Sequence, residues 1–506
     1  MKLGALFAQA RIPVPDGAAD RDVRAIAYDS RKVKEGTLFV AVPGFHRDGT
    51  DFLPEAVKNG AVAAVAERKA RTKAPLAVVP DVRAALADLS VAFFDHPTEK
   101  LKIVGVTGTD GKTTTVHLVS DVLEAAGERT GYATTVDFKL TDHAWENDTR
   151  QSTQESLELQ EFCAELIVAG GTWGVIEATS HALALRKIRG TDVDIAVFTN
   201  LSPEHLDFHG TLQAYLEAKG ILFEMLAKGR DKGVPKAAVL NADDPHWQYL
   251  ADRAAGAGDR PAGVRIISYG IDALADVQAT VLAADATGSK LALSAFGDRV
   301  ELRLPLVGRF NVHNALAATG AGLAAGATLA QCRDALARAK PVRGRMDRIE
   351  AGQPFTVIVD YAHTPESLEK VLALLRPLTA GKLIAVFGSA GERDRTKRPK
   401  LALAAAKYAD RFFITQEDPR LEDPAAILAE IEAGAREAGK LRDRDYQVID
   451  DRTEAIIAAI ADAAEGDTVL LAGKGHEASI IVGEEKRPWD EAATARAALR
   501  ARGFAA

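Results

Sequence analysis

Seven consecutive residues, Gly108-Thr109-Asp110-Gly111-Lys112-Thr113-Thr114, have the types needed to hold a polyphosphate. Glycine lets backbone N–H groups approach phosphate oxygens, and a helix N-terminus adds partial positive charge. Lys112 can reach the terminal phosphates, and the Thr113 hydroxyl can bind Mg²⁺. The strict Walker spacing is not met, because Val106 takes the place of its first glycine. The acid at Asp110 should weaken phosphate binding unless it turns outward.

A second candidate is Lys219. Residues 211–226 place Leu212, Leu216, Leu222, Phe223 and Leu226 at helical spacing, and Lys219 falls on the same apolar face. Periodicity alone favours a stem that packs while its amine reaches water. A desolvated lysine offers another chemistry, because it loses its proton readily. A neutral amine can add CO₂ to become a carbamate, an anionic acceptor for a metal ion or a hydrogen bond.

These groups need elements to hold them. An apolar run over 101–107 predicts a buried strand before the loop. Val116, Val119, Leu123 and Ala126 share a face of the helix after it, with Gly127 as its stop. Strands are predicted at 173–178 and 194–199, and an antiparallel hairpin over 290–306 turning at Gly297-Asp298. Residues 1–98 alternate short apolar runs (37–42, 61–66, 76–79) with helical segments such as 81–94, and the polar stretch 96–100 reads as a linker. From Pro341 onward, strands at 355–359, 383–387, 411–415 and 468–471 alternate with helices at 365–375, 399–408, 424–433 and 453–463. That alternation implies a parallel, doubly wound sheet. The expected fold class is α/β in three domains: 1–98, 99–340 with a P-loop ATPase-type parallel sheet and an antiparallel extension, and a Rossmann-like 341–506.

Composition narrows the class further. The chain has 506 residues, 47% hydrophobic and 26% charged, with material for several cores. Its 63 basic and 71 acidic residues leave a net charge of −8, which argues against a nucleic-acid surface. Cys163 and Cys332 are far apart and in no metal-ligand spacing, which fits a reducing compartment. The N-terminus has no signal-peptide pattern, and the weakly apolar stretch 314–332 reads as a packed helix, with no membrane insertion expected.

Taken together, the motifs resemble the Mur ligase family, and its MurE-type tripeptide synthetases in particular. The resemblance rests on the 106–114 loop, on Glu177-Ala178-Thr179-Ser180-His181-Ala182-Leu183, on the stretch from Thr199-Asn200 to His209-Gly210, and on Glu217-Ala218-Lys219. It runs nearly end to end. It implies a cytoplasmic, monomeric ligase of peptidoglycan synthesis that uses ATP and Mg²⁺. UDP-MurNAc-L-Ala-D-Glu would be activated as an acyl phosphate and joined to a dibasic amino acid. The implied catalytic residues are Lys112, Lys219 as a carbamate, His205 and Glu177, with Thr113, Glu177, His205 and Lys219 at the metal. ATP would be held by the loop with Asn314 of Gly308-Arg309-Phe310-Asn311-Val312-His313-Asn314, Arg345 and Asp360. The UDP-dipeptide would meet Ser30, Phe45, His46 and Arg47, then Gln151, Ser152, Thr153, Ser180 and Lys187. Lys187 stands where arginine is usual, and neighbouring Arg186 is the expected compensation.

The resemblance also implies an amino-acid pocket of Arg393, Glu417-Asp418-Pro419-Arg420, Gly473 and Glu477 in Gly473-Lys474-Gly475-His476-Glu477. Arg393 and Arg420 can pair with carboxylates and Glu477 with an ammonium group. That set fits meso-diaminopimelate. Asp418 replaces the usual Asn, and a second acid favours a plain cationic side chain, so L-lysine and L-ornithine stay open. A folylpolyglutamate synthase-like ligase and a non-catalytic nucleotide-binding partner are the remaining alternatives. The former lacks the two pocket motifs, and intact Lys112, Thr113, His205 and Lys219 argue against the latter.

Overall fold

A computed structural model describes residues 1–44, 47–149, 151–256, 263–285 and 287–505. By their contacts these form two compact units, one of residues 1–280, 292–302 and 313–336, the other of 281–291, 303–312 and 337–506.

The first unit begins with a four-stranded parallel sheet, Ala25–Ala27, Thr37–Val40, Ala61–Ala66 and Leu76–Val78 in that order. Leu3, Leu6 and Phe7 of the helix Leu3–Gln9 and Leu86 and Leu89 of Val82–Phe93 cover one face of it. The stretch expected to be a linker is instead a short helix, Pro97–Lys100, with Pro97 and Thr98 buried. Proline at the first helical position is pre-set for a helix start. Lys232 then fastens the segment by donating to the carbonyls of Thr98 and Leu101 while pairing with Asp194.

The eleven-stranded central sheet has a parallel heart. It runs Val277–Asp285, Arg265–Gly270, Ala237–Asn241, Ile195–Phe198, Lys102–Thr107, Trp173–Glu177 and Thr130–Ala133. Sheets of this kind are covered on both faces, which is why Ile103, Val104, Val106, Val175 and Val197 are all apolar and fully buried. Gly288–Ala295 and Asp298–Leu304 extend one end, turning at Phe296-Gly297 close to the expected break. The other end carries the antiparallel strands Asp137–Leu140 and His143–Glu146, which periodicity did not signal. The single helix expected over 314–332 is two, Arg309–Ala324 and Leu329–Leu336, broken where Gly326 takes a left-handed φ of 99°. Among the described residues no helix is long and apolar enough to cross a membrane.

Register decides where the chemistry gathers. Thr107 lies opposite Phe198, and Val106 opposite Glu177. Three strands therefore end at one edge, and the loops beginning at 108, 178 and 199 leave from it together.

The second unit holds a six-stranded sheet, Asp347–Ile349, Thr356–Asp360, Thr468–Ala472, Leu383–Phe387, Arg411–Ile414 and Tyr446–Val448, parallel except at its first edge. Leu368, Leu372, Leu401, Ile427 and Ile431 from three helices cover one face. Ala455, Ile456, Ala495 and Leu499 from Arg452–Asp462 and Glu491–Ala501 cover the other. The doubly wound expectation holds, and all four strands and four helices lie within a few residues of their expected bounds.

Candidate active site

The phosphate loop is shaped by two glycines. At Gly108 (φ 149°) a β-carbon would sit 1.8 Å from Thr199 Oγ1, and at Gly111 (φ 83°) it would sit 2.3 Å from Asn314 Oδ1. No other residue fits either place without moving a neighbour. The backbone between them is pinned: Asp110 N–H donates to Asn200 Oδ1 at 3.0 Å, and its carbonyl accepts from Thr199 Oγ1 at 2.6 Å and Asn200 Nδ2 at 3.1 Å. Asp110 is exposed. Thr109 is buried, its hydroxyl shared among Ser202 and Tyr215. Thr114 lies in the first turn of the helix Lys112–Ala125. Lys112 folds back onto its own loop, donating to the carbonyls of Thr109 at 2.7 Å and Gly108 at 3.2 Å. Asn314 is buried against the same helix and accepts from Thr115 Oγ1 at 3.3 Å.

Glu177 joins this loop to a second one. Its carboxylate accepts from Thr113 Oγ1 at 2.7 Å and from both the N–H and hydroxyl of Thr135. Its carbonyl accepts from Thr153 Oγ1 at 2.9 Å. Thr153 also meets Thr179 Oγ1, so the 151–153 loop is fastened to the strand that carries Glu177. Gln151 Oε1 accepts from Lys187, and Lys187 also pairs with Glu155 at 3.0 Å. Ser152 is partly exposed next to them, and Ser180 Oγ meets His209 Nε2 at 3.0 Å. Arg186, the expected stand-in for the missing arginine, has its own left-handed backbone and pairs with Asp81 instead.

Lys219 is 1% exposed, so the snorkelling reading fails. Its Nζ donates to Gly108 O at 2.7 Å and lies 4.2 Å from the centre of the Tyr215 ring. Burial, with the charge of Lys112 added, pushes its pKa well below the usual lysine value. His205 stands beside these lysines with a left-handed φ of 56°. Burial first, then Lys112 and Lys219, lowers its pKa to about 4, which leaves a neutral imidazole with a free lone pair at neutral pH. Among the described residues no three His, Cys, Asp or Glu side chains form a metal cluster. Of the expected metal set, Thr113 and Glu177 are bonded to each other, and His205 lies within electrostatic reach of Lys112 and Lys219.

In the first sheet, Ser30 is buried with its hydroxyl given to Glu55 at 2.6 Å. Arg47 is exposed, and its carbonyl closes a turn with Gly44. Phe45 and His46 lie outside the described residues. Arg83 donates to Pro43 O, beside that turn.

In the second unit, Asp360 accepts backbone N–H groups from Met346 and Ala362, both at 2.8 Å, which ties the 344–347 turn to the strand end. Arg345 lies over the Tyr361 ring at 4.5 Å. Gly344 packs so closely on Gly475-His476 that a β-carbon would sit 2.2 Å from the His476 nitrogen. The amino-acid motifs also meet. Buried Arg452 pairs with Glu491 and donates to Gln416 O and Ala472 O, linking the ends of strands Arg411–Ile414 and Thr468–Ala472. Arg420 (φ 54°) hydrogen-bonds through its backbone to Ile481 and Gly483 of the hairpin Ser479–Val482/Glu485–Pro488. Pro419 is buried, and Arg393 is exposed at the far lip. Asp418 is 3% exposed and accepts from Lys474 Nζ at 2.8 Å and Ile481 N–H at 3.0 Å. Lys474 also pairs with Glu477. Glu417 is buried beside Gly473, and its Oε2 has no hydrogen-bond partner among the described residues.

Sequence reasoning missed Thr135, Asn200, Tyr215 and Lys474. Tyr215 was findable, since it precedes Lys219 by four residues on one helix face. The others act across long sequence separations.

Against known proteins, residues 106–322 match the family model described as the Mur ligase middle domain. Residues 344–475 match the Mur ligase glutamate ligase domain, and 22–94 the Mur ligase family catalytic domain. A UDP-N-acetylmuramyl-tripeptide synthetase of Roseiflexus sp. (strain RS-1) is 50% identical over 96% of both chains. A UDP-N-acetylmuramoyl-L-alanyl-D-glutamate--2,6-diaminopimelate ligase of Geobacillus thermodenitrificans (strain NG80-2) is 45% identical over 95% of this chain and 96% of its own. A solved structure of a ligase of that same name is 31% identical, with a TM-score of 0.69 over 99% of this chain and 100% of that one.

Proposed function

This chain belongs to the Mur ligase family, and we propose that it adds meso-diaminopimelate to UDP-MurNAc-L-Ala-D-Glu at the expense of ATP. It is an ATP-dependent amide-forming ligase of peptidoglycan precursor synthesis, working in the cytoplasm. One observation carries the reading: Glu177 bonds the phosphate loop through Thr113 and the 151–153 loop through Thr153. A phosphate donor on the first and a carboxylate acceptor on the second would meet within one residue's reach.

The chemistry has two steps. The D-glutamate side-chain carboxylate attacks the γ-phosphorus of ATP, forming an acyl phosphate and releasing ADP. The amine of the incoming amino acid then attacks the acyl carbon, loses a proton, and phosphate departs. Lys112 leaves the carbonyls of Gly108 and Thr109 and follows the transferred charge, the role that preorganised cations play in phosphoryl transfer. The loop N–H groups and the start of the helix Lys112–Ala125 hold the remaining phosphates.

The donors fit Mg²⁺, since a threonine hydroxyl and a glutamate carboxylate are hard oxygen ligands already in contact. Mg²⁺ held there would neutralise charge on the phosphates. Lys219 supports a further anion. As a neutral amine it adds to CO₂, forming an N–C bond and releasing one proton, and the carbamate adds oxygen donors to the site. His205, neutral at working pH, offers a nitrogen at its rim. In the second unit, Arg393 and Arg420 receive the two carboxylates of diaminopimelate, and Glu477 one ammonium group.

A phosphate-release assay tests the whole reading. Release should require ATP, UDP-MurNAc-L-Ala-D-Glu and the diamino acid together. Release that ignores the UDP-dipeptide would contradict it.

A further inference from the structure

Lys474 is fully buried, and two acids share its single charge. Asp418 Oδ1 accepts from it at 2.8 Å, and Glu477 Oε2 closes on it from the same motif. Asp418 also accepts the N–H of Ile481, so its carboxylate joins the 417–420 loop, the 473–477 loop and the 479–488 hairpin. A third acid, Glu417, is buried next to Gly473. Three carboxylates thus line one small region, and Lys474 is the fully buried lysine in contact with two of them. Arg452, paired with Glu491, also bears electrostatically on Glu417 and Asp418.

A buried ion pair acts electrically as a unit, and removing one member leaves an uncompensated charge. We infer that Lys474 is the specificity-positioning residue of this pocket: it offsets the charge of Asp418, orients Glu477, and so lets the pocket accept a side chain that carries a carboxylate. The inference rests on the amino-acid-binding role proposed above for these loops. Its chemical sense follows from charge. With the charge of Asp418 offset, an incoming distal carboxylate meets Arg420 without facing a bare acid. With Lys474 absent, Asp418 and Glu477 together would repel that carboxylate and attract a lone ammonium group. The pocket would then favour a diamino acid with one carboxylate.

The pair also explains how an acid occupies position 418 without turning the pocket to lysine. The relevant property is its partner 56 residues away.

Binding of meso-diaminopimelate and of L-lysine to the full chain, in the presence of UDP-MurNAc-L-Ala-D-Glu and a non-hydrolysable ATP analogue, is the test. It is read by calorimetry for the wild type, Lys474→Met, and the double variant Lys474→Met/Asp418→Asn. The ratio of the two affinities should fall about tenfold or more toward lysine in Lys474→Met, the size of one charge-assisted contact. The double variant should regain most of it, because it removes the uncompensated acid while keeping the shape. It also stands in if the single variant does not fold. Equal loss of both ligands in both variants would overturn the inference and leave Lys474 a structural residue. A ratio that falls and is not restored by Asp418→Asn would overturn it too. A wild type that binds neither amino acid would instead overturn the role proposed for the pocket itself, and this inference with it.

Discussion

The phosphate loop and the amino-acid pocket are built alike and read differently. Both sit at the carboxyl ends of parallel strands, and both need glycine, at Gly108 and Gly111 in one and at Gly344, Gly473 and Gly475 in the other. The loop does its work with backbone N–H groups and one lysine, so a short stretch of residues specifies it. The pocket works with side-chain charges, and a charge means little until its partner is known. Asp418 considered alone favours a cationic substrate. Paired with Lys474, which also holds Glu477, its charge is offset.

The sharpest break between the two regions should come from Lys112→Ala. Turnover should fall by about 10³-fold or more, the scale of losing a preorganised charge in the transition state. Affinity for the UDP-dipeptide, measured by calorimetry, should stay within about threefold, because its proposed contacts are on other loops; a large loss would mean the two functions are not separable. Next in size is Lys219→Ala, which should lose most activity and regain part of it with a short-chain carboxylic acid. Full activity without the additive would show that no anion is needed at Nζ.

These two residues stand out differently in the sequence, and the reason is physical. Lys112 lies between a buried strand and a helix start, a local pattern, whereas the apolar helix face of Lys219 by itself favours a snorkelling stem, and only the family resemblance points to the carbamate. The strands at 101–107, 173–178 and 194–199 and the four after Pro341 were legible, because parallel strands buried on both faces are uninterrupted apolar runs; the parallel strands Thr130–Ala133, Ala237–Asn241, Arg265–Gly270 and Val277–Asp285 were not picked out. What local pattern cannot carry is partnership. Glu177 is held by Thr135, 42 residues before it, and Arg186 pairs with Asp81, 105 residues before it. The 137–146 strands escaped because they are short and largely solvent-facing, leaving little alternation to read. The stretch 96–100 resembled a linker because its fastening comes from Lys232, far along the chain.

Smaller effects sharpen the comparison inside the pocket. Arg420→Ala should lower kcat/KM for diaminopimelate roughly tenfold to a hundredfold while lysine use changes little, as expected for one charge-assisted contact. An unchanged preference would move specificity away from Arg420. The smallest concerns His476, whose pKa is lowered to about 2 by burial, with Arg345, Arg343 and Lys474 adding to it. Its unfolded form takes up a proton near pH 6.5 and its folded form does not, so stability is lost as pH falls below that value. Between pH 7.5 and 5.5 the wild type should lose about 1 kcal/mol more than His476→Gln, read from urea midpoints. Equal losses would place the imidazole in solvent.

The central claim is that this ligase joins diaminopimelate to the UDP-dipeptide, and a competition measures it most directly. The wild type is given ATP, Mg²⁺, UDP-MurNAc-L-Ala-D-Glu and equal amounts of meso-diaminopimelate, L-lysine and L-ornithine, and the products are identified by mass. The account predicts a UDP-tripeptide ending in diaminopimelate, with one ADP and one phosphate per amide formed. A product dominated by lysine or ornithine, or ATP hydrolysis with no amide, would contradict it.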